Sequence, residues 1–307
     1  MSGGFGGAVG AGVVVLDGGL SNQLVAAGHD LSDELWSARL LADAPEAVVE
    51  AHLAYFRAGA EVATTASYQA SFEGFGRRGV GRAGARRLLG SSVELAREAV
   101  RRAGAQRPLW VAASVGPYGA VLADGSEYRG RYGLSTAELE RFHGPRLEAL
   151  LAAGPDVLAI ETVPDTQEAR ALLRVLRGSG VPAWLSFSVA GGRTRAGQPL
   201  EEAFGLAAEV EEVLAVGVNC CSPEDADRAV RIAARAAGKP VVVYPNSGER
   251  WDAAARDWAG EPTFRPGRVA GWLADGARLV GGCCRVGPAD IAALAEAVRA
   301  GARGDGG

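Results

Sequence analysis

Four cysteines in a chain of 307 residues fall as two adjacent pairs, Cys220 and Cys221 in GVNCCS and Cys283 and Cys284 in GGCC. In a reducing compartment such thiols serve as metal ligands, catalysts or inert core residues sooner than as disulfides. Bonding between sequence neighbours would be strained, so each pair is expected to act outward. Each pair also closes a short apolar run, where a strand would end.

Zinc takes thiolates in tetrahedral geometry, and three protein ligands leave one position open for water or substrate. Three thiolates place so much negative charge on the ion that it activates water poorly, whereas hydrolytic zinc sites rely on histidine and carboxylate. Such a centre is suited to bind another thiol, remove its proton and keep the thiolate nucleophilic at neutral pH. The expected substrate is therefore itself a thiol. Cys220, Cys283 and Cys284 are the candidate ligands for Zn2+. Two other readings stand beside this one: small buried core residues, or a closed structural zinc that adds Cys221, although the tight C-x2-C turns of such sites are absent.

For two distant pairs to share one ion, the fold must bring them together. Apolar, β-branched runs at 13–17, 61–67, 109–115, 157–162, 183–189, 215–220, 241–246 and 278–283 alternate with segments of helical period such as 85–103, 136–153, 166–178, 223–237 and 288–300. Eight such units predict a single-domain α/β fold, the (β/α)8 TIM barrel, over residues 13–300. Strands six and eight then flank strand seven, which lets Cys220 meet Cys283 and Cys284 across the mouth. The long connections 68–83, 116–134, 190–199 and 247–266 follow strands, on the face where barrels carry active sites. Residues 1–12 read as a flexible Gly-rich leader and 301–307 as a disordered tail.

Composition excludes other classes. Hydrophobic residues at 48% suffice for a large core, and 32 basic against 36 acidic residues, with no basic run interleaved with aromatics, argue against nucleic acid. The N-terminal MSGGFGGAVGAGVVVL lacks a basic n-region and is too glycine-broken to span a bilayer. The expectation is a cytoplasmic protein with small-molecule substrates and no membrane partner.

Two carboxylates stand at strand ends, Asp17 in LDGG and Glu161 in AIET. A charge there is costly unless it meets a partner at the mouth. A glycosidase pair would leave the thiols idle, so the pair is read as a grip for a substrate ammonium group. Gly18 and Gly19 either offer backbone N–H groups to a substrate carboxylate or simply form a tight turn. GFGRRG at 74–79 matches a dinucleotide fingerprint in spacing only, and His29, His52 and His143 lie away from strand ends.

VLDGGLSNQL (15–24), TTASYQAS (64–71), ETVPD (161–165), GVNCC (217–221), YPNSGE (244–249) and GGCCR (281–285) together resemble the homocysteine S-methyltransferases. The resemblance runs from about residue 13 to 300. It implies a (β/α)8 barrel with zinc on Cys220, Cys283 and Cys284 and homocysteine sulfur as fourth ligand. Asp17 and Glu161 would hold the homocysteine ammonium, the backbone at Gly18 and Thr65 its carboxylate, and Ser67 and Asn246 would shape the site. Cys221 stands where the family often has threonine and is expected to point into the wall.

The resemblance implies in-line transfer of a methyl group from a cationic donor to the homocysteine thiolate, with no general acid. TTASYQAS is closer to the short enzymes that use S-methylmethionine, with S-adenosylmethionine as second donor, than to the betaine-using branch. A selenocysteine or selenohomocysteine methyltransferase is similar in motif and length. The rivals from other classes are a zinc or thiol sensor, which leaves Asp17 and Glu161 without a ligand to hold, and a zinc hydrolase.

Overall fold

The computed structural model describes residues 3–31, 35, 37–252 and 257–304. Eight parallel strands make one sheet: β1 (Val14–Val15), β2 (Val62–Thr64), β3 (Trp110–Val115), β4 (Val157–Val163), β5 (Ala183–Phe187), β6 (Val213–Asn219), β7 (Val241–Tyr244) and β8 (Ala277–Val280). Their order, β1-β8-β7-β6-β5-β4-β3-β2, is that of a (β/α)8 barrel with helices between the strands. Each strand falls on one of the eight apolar runs. The runs are continuous because helices cover the outer face while side chains fill the inside.

Several helix starts are written in side chains. Ser135 and Glu138 form a reciprocal capping box ahead of Thr136–Leu151, Asp165 accepts from the Gln167 N–H at 2.9 Å, and Ser222 accepts from Asp225 N at 3.1 Å with Pro223 following. Inside the barrel, Ala159 on β4 and Ala215 on β6 lie in register with Trp184 on β5. The small partners leave room for the indole, which is fully buried.

The seam between β1 and β2 is closed differently from the rest. Glu61 N donates to Val15 O at 2.7 Å, and the Glu61 carboxylate accepts from Val15 N at 2.9 Å. One step higher, Asp17 Oδ2 accepts from Thr64 N at 2.7 Å and Oδ1 from Thr64 Oγ1 at 2.8 Å. Side-chain carboxylates here take the part that carbonyls play elsewhere in the ladder.

Residues 5–11, expected within a flexible leader, form a helix instead, Phe5–Ala11. Phe5 and Val9 are buried at the amino-terminal mouth of the barrel, with the Phe5 ring 5.9 Å from Trp110 and 6.3 Å from Trp184. Burying such side chains stabilises by about 1.5–3 kcal/mol each, which offsets the ~0.5–1 kcal/mol cost of each helical glycine. At the other end, residues 301–304 extend the last helix, Pro288–Gly304, and residues 305–307 lie outside those described. Among the described residues no helix is long and apolar enough to cross a membrane.

Candidate active site with a three-thiol centre

The chain turns sharply after β6, with Cys220 at φ +47°, a region unfavourable to residues with a Cβ. After β8 the Gly281-Gly282 pair lets the backbone pass close to β1 and its own return: a Cβ on Gly282 would lie 2.1 Å from Val286 Cγ1. These two turns bring Cys220 and Cys283 Sγ atoms 2.6 Å apart, and all three thiols of Cys220, Cys283 and Cys284 lie within 4.8 Å of one another. All three line one pocket at the carboxyl ends of the strands.

That span suits one soft ion. Thiolates bonded to zinc at about 2.3 Å in a tetrahedron sit ~3.8 Å apart, so small side-chain movements would centre the three on a metal. Hydrogen bonds from Cys283 and Cys284 hold the Cys220 thiol well below its ordinary range, and those with Cys220 and Cys284 push Cys283 up. Cys221 is outside this group, fully buried in the apolar core, and burial pushes its thiol up. It is an inert wall residue.

The turn after β7 supports both pairs. Asn246 Oδ1 accepts from Cys284 N at 3.2 Å and Asn246 N donates to Cys221 O at 2.9 Å, while Cys283 N donates to Pro245 O at 2.8 Å. Asn246 therefore clamps the two cysteine loops together and, contrary to expectation, does not line the pocket.

Asp17 and Glu161 both line the pocket and are almost fully buried, at 4% and 7% exposure. Burial dominates both: it pushes Asp17 up to about 7, against the Thr64 hydrogen bonds, and Glu161 up to about 8, against bonds from Ser114 and Tyr244. Tyr244 OH donates to Glu161 Oε2 at 3.0 Å and Ser114 Oγ to Oε1. The next residue, Thr162, has φ +59° and is gripped by Asn219, whose Oδ1 accepts from Thr162 N and whose Nδ2 donates to Thr162 Oγ1, both at 2.7 Å. An ammonium group between the two carboxyls would lower both values and leave two carboxylates facing it.

Gly18 lines the pocket, and among the described residues its N–H has no hydrogen-bond partner. A Cβ there would lie 2.3 Å from Val286 O, so only glycine fits. The Gly19 N–H is already spent on Val286 O at 3.0 Å. The Thr65 N–H is likewise spent, on Ala112 O at 2.9 Å, and so is not open to a carboxylate. Its hydroxyl lies 2.7 Å from Ser67 Oγ and accepts from Ser114 N at 3.0 Å, while Ser67 donates to Ser114 O at 2.7 Å. Thr65 and Ser67 thus brace β2 against β3, and Ser67 is fully buried outside the lining.

The connection 116–134 supplies what sequence reasoning missed. It folds into a helix, Tyr118–Leu122, and a 3-10 turn, Ser126–Tyr128, that bring Glu127 and Tyr128 to the pocket wall. Tyr118 N donates to Glu168 Oε1 at 2.6 Å and Arg131 N to Asp165 Oδ2 at 3.1 Å, which anchors both ends. Behind it lies Arg146, fully buried, donating to the carbonyls of Ala70 at 2.8 Å, Gly116 at 3.0 Å and Tyr68 at 3.1 Å. One guanidinium thereby ties the loops after β2 and β3 together. Among the described residues the lining holds three carboxyls, three thiols and three tyrosines, and no lysine, arginine or histidine.

A family model described as homocysteine S-methyltransferase matches residues 14–298. The chain is 46% identical to the homocysteine S-methyltransferase of Escherichia coli strain K12, with 92% of this chain and 94% of that protein covered. It is 42% identical to homocysteine S-methyltransferase YbgG of Bacillus subtilis, over 94% and 95% of the two chains. The crystal structure of the homocysteine methyltransferase MmuM from Escherichia coli, metallated form, superposes with a TM-score of 0.83 at 44% identity, over 92% of this chain and 96% of that one. With both cysteine pairs and the paired carboxyls inside the matched span, this chain belongs to the homocysteine S-methyltransferase family.

Proposed function

We propose that the protein transfers a methyl group from S-methylmethionine, with S-adenosylmethionine as second donor, to the thiol of L-homocysteine, giving methionine, with zinc on Cys220, Cys283 and Cys284. The observation that carries this is the three-thiol cluster opening into a pocket whose lining, among the described residues, has carboxyls and no basic side chain. The metallated form of the Escherichia coli relative supports a metal at such a site. Zinc bound by three thiolates would keep a substrate thiol ionised at neutral pH.

The remaining work falls to this chain's residues. Asp17 and Glu161 hold the homocysteine ammonium, and the Gly18 N–H takes one carboxylate oxygen. Thr64, Ser114 and Tyr244 hold the two acids in place. The methyl–sulfur bond of the donor breaks with its electron pair on the leaving sulfur, so a neutral thioether departs and no general acid is required. A pocket without basic side chains suits a cationic donor and disfavours phosphate-bearing ones.

The test is methionine formation from homocysteine by zinc-loaded protein with each sulfonium donor, beside protein stripped by a chelator. Metal-dependent product, faster with S-methylmethionine, is expected. No methionine with either donor from protein holding one zinc per chain would overturn the proposal; a selenohomocysteine arm would then show whether a selenol is the true acceptor.

A further inference from the structure

We infer that Glu127 holds the ammonium group of the methyl donor, so that the donor is recognised as a sulfonium α-amino acid; this rests on the function proposed above. Glu127 lies in the 3-10 turn after β3, is 5% exposed and lines the same pocket as the thiols. Among the described residues its Oε2 has no hydrogen-bond partner. The other two pocket carboxyls differ: Asp17 is tied by Thr64, and Glu161 by Ser114 and Tyr244. A buried carboxylate oxygen without a partner is costly, and among the described residues the lining offers no cation to meet it. The missing partner therefore arrives with a ligand. Homocysteine brings one ammonium, which Asp17 and Glu161 take, and the donor brings the second.

The loop is built to hold this carboxyl at the mouth. A Cβ on Gly119 would lie 2.5 Å from Glu127 N, so the turn packs directly on the Tyr118–Leu122 helix. Tyr118 and Arg131 fasten the loop to Glu168 and Asp165.

The chemistry selects the ammonium over the sulfonium. As the acceptor sulfur bonds to the methyl carbon, the methyl–sulfonium bond breaks and its electrons stay on the departing sulfur. The sulfonium charge and the thiolate charge vanish together. A carboxylate set against the sulfonium would stabilise reactants more than the transition state and slow the step. The ammonium keeps its charge throughout, so an ion pair to it adds binding at no cost to the barrier.

Steady-state kinetics of zinc-loaded Glu127→Gln and Glu127→Asp test this. The Gln variant is expected to raise KM for S-methylmethionine about 10- to 100-fold, the worth of a charge-assisted contact. Its kcat should stay within about twofold, with homocysteine KM and zinc content unchanged, and the Asp variant should recover part of the loss. Dimethylsulfonioacetate, a sulfonium without an amino group, should compete equally well in wild type and Gln variant. An unchanged donor KM, an equal loss with the amino-free sulfonium, or a parallel rise in both substrates' KM would each overturn the inference. Failure of wild type to form methionine would instead sink the function itself, so the two failures are distinguishable.

Discussion

Serine in place of Cys283 is expected to cost the protein its zinc and its methyl transfer together, while Cys221→Ala keeps both. The three thiols lie within 4.8 Å of one another, so removing one leaves two donors and a hydroxyl of far weaker affinity for a soft ion. Changes to outer partners of metal ligands cost about 10- to 100-fold in affinity or activity, and loss of a ligand should exceed that, with turnover below ~1% of wild type. Cys221 lies fully buried in the apolar core and outside the group, so alanine there should leave a small void and an intact centre. Metal content by mass spectrometry after a chelator challenge, beside methionine formation, separates the two. Full zinc in Cys283→Ser, or its loss in Cys221→Ala, would contradict the assignment.

The second large effect is expected far from the thiols. Arg146→Met should destabilise the fold by about 3–5 kcal/mol, the scale for breaking a buried charged network, and lower the melting temperature by roughly 5–15 °C. The guanidinium is fully buried and satisfies three carbonyls, and burial pulls its value down only to about 10, so it remains charged at neutral pH. Methionine would leave those carbonyls unpaired and His143 and Glu168, 2.9 Å apart, without their neighbouring cation. Lysine should not rescue, since a single ammonium cannot match a planar fork spread over three acceptors. Scanning calorimetry checks this; an unchanged melting temperature would mean that the loops after β2 and β3 are held by other contacts.

The barrel was legible because parallel strands buried on both faces read as unbroken apolar runs, and five long helices showed their period plainly. That the three thiols and both acids meet in one pocket was legible because polar residues at strand ends are costly unless they find partners there. What escaped was set by tertiary contact. Thr64 ends β2 and Thr65 follows it, and only the seam beside β1 decides that Thr64 meets Asp17 while Thr65 turns to Ser67. Asn246 carries a side chain that could have faced substrate, yet the Cys284 N–H takes it. Glu127 sits in a connection with no periodicity, and its reach to the pocket depends on Gly119 and on anchors that follow the next strand. The glycine-rich start read as loose because local propensity opposes a helix there, and Trp110 and Trp184 override it.

In the function proposed here, three cysteine sulfurs present a zinc ion to the sulfur of homocysteine. Zinc-edge X-ray absorption of loaded protein tests it most directly, before and after homocysteine is added. The expected result is a shell of three sulfurs and one lighter atom that becomes four sulfurs with homocysteine, and a return to three when homoserine replaces it. A shell of four sulfurs from the outset, or one indifferent to homocysteine, would show a closed structural centre and contradict the account.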